Sequence, residues 1–368
     1  MDVERRTHTT NGWDAPLPDL DSPQTLVLVF ASPSLRDDAA IDEVVAAYPS
    51  ACVLGCSTSG QIAGEAVMDD VVVVAVARFA HTRLKLAVQS IDDAADSAAV
   101  GRSLGEALAG PDLRSVFVLS DGLSVNGTPL SRALSEAVGS VVVSGGLAGD
   151  DDRFEQTWVL AGGERASKRI AAVGLYGDAL KVSCGSGGGW EPFGVTRRIS
   201  GSDGNVLYTL DDRPALELYK EYLGDRASGL PATALLFPLA LELDDDTTLV
   251  RTILAVDEDT QSMTFAGDMP EGARVKLMRS DMEGLVDGAA QAAESLDSSG
   301  PTLMVAVSCV GRRLVLGEEV EEEVEATLEA QSHSVQVGFY SYGELSPGSG
   351  RSCALHNQTM TLTAWSEG

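Results

Sequence analysis

Apolar and polar positions alternate in blocks along the chain, and the blocks predict strands and helices in a recurring order. After a polar lead-in to Ser22, TLVLVFA from Thr25 to Ala31 has the length and composition of a buried strand. Asp37 to Tyr48 has helical spacing, and ACVLG reads as a second strand running into the small-residue loop CSTSG. VVVVAVARF and LKLAVQS, joined at His81-Thr82, read as a pair of strands. The same order follows again: a helix from Asp93 to Leu108, the strand SVFVLSDG, a helix from Pro129 to Val138, and SVVVSGGLAGDD. An offset of 90 residues carries Thr25 onto Ser115 and Gly55 onto Gly145, and an offset of 96 carries Leu84-Lys85 onto Leu180-Lys181. The pattern predicts an internally duplicated strand-helix-strand-hairpin unit over residues 25–190, with two glycine-rich strand ends facing a common crevice.

GSGGGWEPFG, from Gly185 to Gly194, reads as a linker or sharp crossing. Beyond it, Asp203-Gly204 between two alternating runs predicts a hairpin. PALELYKEYLG has Pro214 in its first turn and Gly224 past its end, as helix ends prefer. Short strands follow, then a helix from Met282 to Leu296, the strand TLMVAVSCV, an acidic helix from Glu318 to Glu329, and two closing strands. The predicted fold class is α/β (mixed α+β): a polar lead-in over 1–24, an α/β domain over 25–190 and an α+β domain over 191–368. In the closing stretch, alternation places Phe339, Ser341 and Gly343 on one face of a strand and Tyr340, Tyr342 and Glu344 on the other. That polar face, with His356 and Asn357 after the loop, is either a pocket wall or a wet surface.

Charge narrows the function. Against 55 acidic residues stand 26 basic ones, a net charge of −29 over 368 residues. Such a surface repels phosphates and anionic lipid, so nucleic-acid binding is not expected. The N-terminus lacks an apolar segment of the secretory kind, and the longest apolar run, VVVVAVARFA, meets Arg78 within eight residues. The expectation is a cytoplasmic protein without membrane insertion. Five cysteines with no C-x-x-C pair argue against a zinc ribbon or a disulfide framework.

Candidate chemistry is sparse. Gly55 to Gly60, GCSTSG, approaches a nucleophile elbow but carries Ser59 where glycine is required, and no helix pattern follows it. A hydrolase using Ser57 or Cys56 is an alternative; the expected role of Cys56, Ser57 and Thr58, and of Gly145 and Gly146, is to offer backbone donors to a ligand. Asp150, Asp151 and Asp152, and likewise Asp244, Asp245 and Asp246, read as solvated acidic turns rather than cation sites. The four histidines form no metal motif. Arg251 and Arg312 are the cations expected to grip a ligand carboxylate, with Tyr340, Tyr342, Glu344, His356 and Asn357 orienting the remaining polar groups. No catalytic residue and no metal site are predicted.

Taken together, VLGCSTSGQI, Asp121-Gly122, SGGLAGDD, GWEPFGVTRRISGSDGNVLYTLDDRPALELYKEYLG, VRTILAVDED, CVGRRLVLGEEVEEEVE, GFYSYGEL and LHNQTMTLT resemble the FIST (F-box and intracellular signal transduction) family, in its N and C domains. The resemblance implies a sensor that binds a small polar, amino-acid-like metabolite and signals to a partner such as a histidine kinase or a cyclic-dinucleotide enzyme, without enzyme activity of its own. Some family members are haem-based nitric-oxide sensors, which makes haem the alternative cofactor and His356 its candidate ligand.

Overall fold

The computed structural model describes residues 1–243, 248–297, 300–348 and 352–368; Asp244, Asp245 and Asp246 lie outside them. Among the described residues the strands form four sheets, and three of these share one connectivity. In the first, Thr25–Ala31 pairs in parallel with Cys52–Ser57 across the helix Ala39–Ala47, and Val72–Arg78 returns antiparallel on its other side. In the second, Leu113–Ser120 stands likewise between Val142–Leu147 and Arg169–Tyr176, with the helix Gly127–Val138 as crossover. In the third, Thr302–Cys309 stands between Ser334–Ser341 and Met360–Glu367, and the crossover holds two helices, Val310–Leu316 and Glu321–Ala330. The sequence pattern suggests two units; the sheets contain three.

The units interlock by exchanging chain. The hairpin after Cys52–Ser57 (Gln61–Ala63 with Ala66–Met68) adds to the third sheet, the hairpin Val159–Ala161 with Glu164–Ala166 adds to the first, and Gly343–Pro347 with Cys353–His356 adds to the second. Outer strands are passed on as well. Arg83–Ser90 borders the second sheet, Leu180–Gly187 borders the third, and Asp2–Thr9 takes the equivalent place in the first. The polar lead-in therefore contains an edge strand. A partly exposed edge tolerates its mixed composition, which gave it no strand signal.

Inner and outer faces explain the composition of the central strands. Every residue of Thr25–Ala31 and of Thr302–Cys309 is buried, because helices cover one face and the other sheets cover the opposite one. The inner faces converge on one core, in which Phe30 meets Phe339 with ring centroids 4.8 Å apart and Phe117 meets Trp365 edge-on at 5.3 Å. Gly55, Gly145 and Gly338 occupy corresponding positions on the second strands. A Cβ at any of them would run into the carbonyl of Val29, Val118 or Ala306 on the neighbouring strand, so the close approach requires glycine.

Residues 191–279 build the fourth sheet. It includes Glu191–Asp203, Val206–Leu210, Leu239–Glu242, Ile253–Asp257, Ser262–Phe265 and Arg274–Arg279, and it packs with the helix Ala215–Leu223 around a separate core of Ile199, Leu216, Tyr219, Met263 and Phe265. Its Asp203-Gly204 hairpin forms as expected, with Asp203 opposite Val206. The glycine run before it is no loose linker. Gly185, Gly187 and Gly189 lie against Ala292, Gly288 and Gly284 of the helix Met282–Glu294, where a Cβ would meet each carbonyl oxygen. Two residues of strand, about 6.6 Å, match four residues of helix, about 6 Å, so the contact repeats in register.

Helix starts follow local chemistry: Asp38, Asn126 and Asp281 accept hydrogen bonds from Ala40 N, Thr128 N and Gly284 N. No described helix is long and apolar enough to cross a membrane.

Candidate functional site

A crevice opens on the three-unit body and extends to the module that carries the fourth sheet. Its floor begins with Val310–Leu316, a short helix that leaves the end of the central strand Thr302–Cys309 and was not anticipated from the continuous apolar run. One wall is the loop Asp150–Phe154 after the strand Val142–Leu147. Asp150 holds that loop in place: its carboxylate accepts from Glu155 N at 2.9 Å, from Gln156 N at 2.7 Å and from the Tyr342 hydroxyl. Asp150 is 2% exposed, so it is a buried anchor and not part of a solvated turn; three donors replace the water it gives up. The Tyr342 ring stacks on Phe154 at 4.4 Å and presents Phe154 to the crevice. The facing wall comes from Gly229–Leu236 and Ile253–Leu254 of the fourth sheet's module.

Two lobes share Asp152 and Leu314. The charged lobe, about 520 Å³, is lined by Ser32, Ser59, Asp69, Asp70, Asp151, Asp152 and Arg313. The apolar lobe, about 440 Å³, is lined by Phe154, Leu230, Pro231, Leu235, Leu236, Ile253, Leu254 and Leu314. Arg313 bridges the charged lobe, donating to Ser59 O at 2.6 Å and to Asp69 at 2.6 Å with its guanidinium over the Tyr340 ring. Burial, with Asp69 and Asp150 nearby, holds the Asp151 carboxyl above its ordinary range, against the opposing pull of Arg153 and Arg313.

The residues singled out from sequence are scattered rather than gathered in one pocket. Cys56 is buried in the inner core, where burial pushes its thiol well up. Ser57 accepts from Trp158 N at 3.1 Å and Thr58 donates to Ala31 O at 3.4 Å, both fully buried. Gly145 and Gly146 are paired with Leu345 and Glu344 inside the second sheet. Arg312 is engaged by Glu323 at 2.7 Å and by Gly188 O and Leu285 O at 2.5 and 2.8 Å. Tyr340 donates to the same Glu323 at 2.6 Å, while Tyr342 turns to Asp150. Glu344 accepts from Ser341 Oγ at 2.8 Å and Thr359 Oγ1 at 2.9 Å, and burial pushes its carboxyl up to about 8. The alternation that placed Tyr340, Tyr342 and Glu344 on one face is broken because the chain leaves the third sheet at Ser341 and enters the second at Gly343.

A second group gathers where the fourth sheet meets the body. Among the described residues no carboxylate is in hydrogen-bond contact with Arg251; its guanidinium donates to Leu355 O at 3.1 Å, Val250 O at 3.2 Å and Asp268 O at 3.3 Å, and burial pushes it down to about 10. His356 Nε2 lies 3.2 Å from Ser346 O, and burial holds the ring neutral, with its pKa pushed down to about 4. Among the described residues neither amide atom of the fully buried Asn357 has a partner, nor do the buried Gln358 Oε1 and Thr252 Oγ1. Gln358 Nε2 donates to Leu235 O at 2.9 Å, which puts this carboxamide directly behind the apolar lobe. The surroundings of His356 do not fit a haem: Nε2, the nitrogen an axial ligand would use, is directed at Ser346 O, and His356 lines neither lobe.

Arg313, Asp69, Asp70, Phe154 and Leu314 escaped sequence reading. Arg312 and Arg313 are adjacent, and the helical step of about 100° turns the first into the core and the second toward the crevice.

These features define a two-part α/β protein with a ligand-sized crevice at the junction of its parts. Residues 25–213 match the FIST N domain and residues 215–347 the FIST C domain, and the chain belongs to the FIST family. FIST domains are sensory domains of signal transduction. An uncharacterized protein of Methanocaldococcus jannaschii is 25% identical over 234 residues, an alignment covering 56% of this chain and 45% of the relative. The matched region is thus less than half of that relative's length.

Proposed function

We propose that the protein is a sensor that takes a small polar metabolite into the crevice and passes its occupancy to a signalling partner such as a histidine kinase or a cyclic-dinucleotide enzyme. The observation that carries this reading is the crevice itself: a charged lobe formed by the body adjoins an apolar lobe that is walled on one side by the body and on the other by the module of residues 191–279. A ligand touching both walls favours one arrangement of the two parts, and that differential contact is what a sensory domain requires. Polar ties cross the same junction, among them Asn126 Nδ2 to Asp268 at 2.7 Å and Arg251 to Leu355 O, so a shift of the module is felt in the body's sheets.

Thermal-shift screening of amino acids and related metabolites tests this reading. A ligand at 100 times its dissociation constant adds about 2.7 kcal/mol of stability. Leu314→Trp, at an exposed position shared by both lobes, should abolish any such shift while leaving the unliganded melting temperature within a few degrees. A shift that survives Leu314→Trp would place the ligand elsewhere.

A further inference from the structure

We propose that the crevice admits a neutral primary carboxamide, with its body in the apolar lobe and its amide group on a polar seat behind that lobe, formed by Asn357, Gln358 and Thr252. This rests on the crevice being the ligand site. Among the described residues seven buried side-chain nitrogen or oxygen atoms lack a hydrogen-bond partner, and four of them belong to these three residues: Nδ2 and Oδ1 of Asn357, Oε1 of Gln358 and Oγ1 of Thr252. The other three are scattered over Arg36, Ser144 and Ser334. Unpaired burial is costly, so a concentration of it in one place calls for a ligand that supplies the missing bonds.

The three side chains stand behind one wall. Gln358 Nε2 donates to Leu235 O at 2.9 Å, and Thr252 precedes Ile253; Leu235 and Ile253 both line the apolar lobe. The bond to Leu235 O also fixes the orientation of the Gln358 carboxamide, because reversing it would set two carbonyl oxygens against each other. Oε1 is therefore the free end. Gln358 holds a φ of 60°, in the left-handed region that side chains disfavour, so its position is kept against the preference of its backbone. The wall in front is light. Leu235 belongs to residues 224–236, two short helical turns whose backbone-to-backbone bonds are local, such as Leu230 N to Ala227 O and Ala234 N to Pro231 O. Moving this wall opens no sheet.

The chemistry of the seat selects the ligand. Its free atoms are one amide nitrogen, two carbonyl oxygens and a hydroxyl, all of them uncharged. A primary carboxamide carries the matching set: a carbonyl oxygen to accept from Asn357 Nδ2, and two N–H donors for Asn357 Oδ1 and Gln358 Oε1. A carboxylate brings no donor and leaves both carbonyl oxygens unpaired, and the adjacent cation, Arg251, is spent on three backbone carbonyls. An ammonium brings no acceptor and leaves Asn357 Nδ2 unpaired. Either charge would also give up its water in a place without solvent exposure.

Calorimetry on the full chain with hexanamide, N,N-dimethylhexanamide and hexanoate tests the proposal, since the three share a hydrocarbon body and only the first has amide N–H donors. Hexanamide should bind about ten-fold more tightly than either of the others. Asn357→Leu should bring hexanamide down to the level of the dimethyl amide. Thr252→Val, a substitution of nearly equal shape, should weaken hexanamide several-fold and provides the same test if Asn357→Leu does not fold. Equal binding of hexanamide and the dimethyl amide would mean that the unpaired atoms hold water only, and it overturns the proposal while the crevice reading survives. Preferred binding of hexanoate does the same. If hexanamide gives no heat but a metabolite produces a shift that Leu314→Trp removes, the carboxamide proposal falls alone; with no such shift, both fall. Hexanamide binding that persists in Leu314→Trp also overturns both.

Discussion

Glu344 and His356 stand directly opposite each other on the antiparallel strands Gly343–Pro347 and Cys353–His356, yet no hydrogen bond or ion pair joins their side chains. Each instead satisfies itself locally, Glu344 through Ser341 and Thr359 and His356 through Ser346 O. Burial shifts both toward their neutral forms, Glu344 up to about 8 and His356 down to about 4.

These opposite shifts set a stability profile. As pH rises from about 4.5 toward 8, the unfolded chain ionises Glu344 while the native state keeps it protonated, so stability falls. As pH drops from about 6.5 toward 4, the unfolded chain protonates His356 while the native state does not, so stability falls again. The two contributions oppose each other between pH 4.5 and 6.5. Glu344→Gln should therefore remove the fall between pH 6.5 and 8 and leave a rise from pH 4.5 to 6, whereas His356→Gln should leave stability falling from pH 4.5 to 8, measured by urea denaturation at pH 4.5, 6 and 8. Variants that shift the curve without changing either slope would show that neither group carries the linkage.

Arg312 and Glu323 form an ion pair with no solvent exposure at either side chain. Removing one charge strands the other. Glu323→Leu should cost about 3–5 kcal/mol, and Arg312→Met combined with Glu323→Leu should be less damaging than Glu323→Leu alone. Chemical denaturation of the three proteins reads this directly. A double variant worse than the single would mean that the bonds from Arg312 to Gly188 O and Leu285 O outweigh its desolvation.

The glycine run separates two roles for one residue type. Gly187→Ala should destabilise by about 1–3 kcal/mol, because its Cβ meets Gly288 O, whereas at Gly188 the nearest atom to a new Cβ is 3.4 Å away and alanine should be nearly neutral. A flexible linker would tolerate both alike. Melting temperatures of the two variants decide it.

Thiol reactivity offers another check. Cys56, Cys309 and Cys353 are buried, and burial pushes Cys52 up to about 12 and Cys184 up to about 11. At pH 8 the native protein should react slowly with a disulfide reagent, and all five thiols should react once urea unfolds it. Rapid labelling of Cys56 in the native state would revive it as a nucleophile.

Much of the fold was legible in the chain because hydrophobic runs of strand length and capped helical stretches obey local rules. TLVLVFA and TLMVAVSCV are strands where expected, and Met282–Glu294 is a helix within two residues of its predicted end. The third unit was hidden for two reasons. Residues 191–279 separate it from the others, and of the glycines at its strand end only Gly338 matches the pattern of Gly55 and Gly145. The candidate site was less legible still. Polar side chains attract attention in a sequence, but Tyr340, Arg312 and Glu344 are consumed by buried partners. The crevice is lined largely by residues that carry no signal until distant segments meet, such as Phe154, Leu235 and Leu314.

The exchange of hairpins has a mechanical consequence. Each of the three sheets is completed by a hairpin from another unit, so none can be peeled away without opening a second, and the three together behave as a closed ring of hooks. The helix and loop that bound the crevice, Val310–Leu316 and Asp150–Phe154, spring from strands of two different sheets in that ring. A displacement at the crevice is thus loaded onto the interlock itself and can reach faces of the molecule far from the ligand.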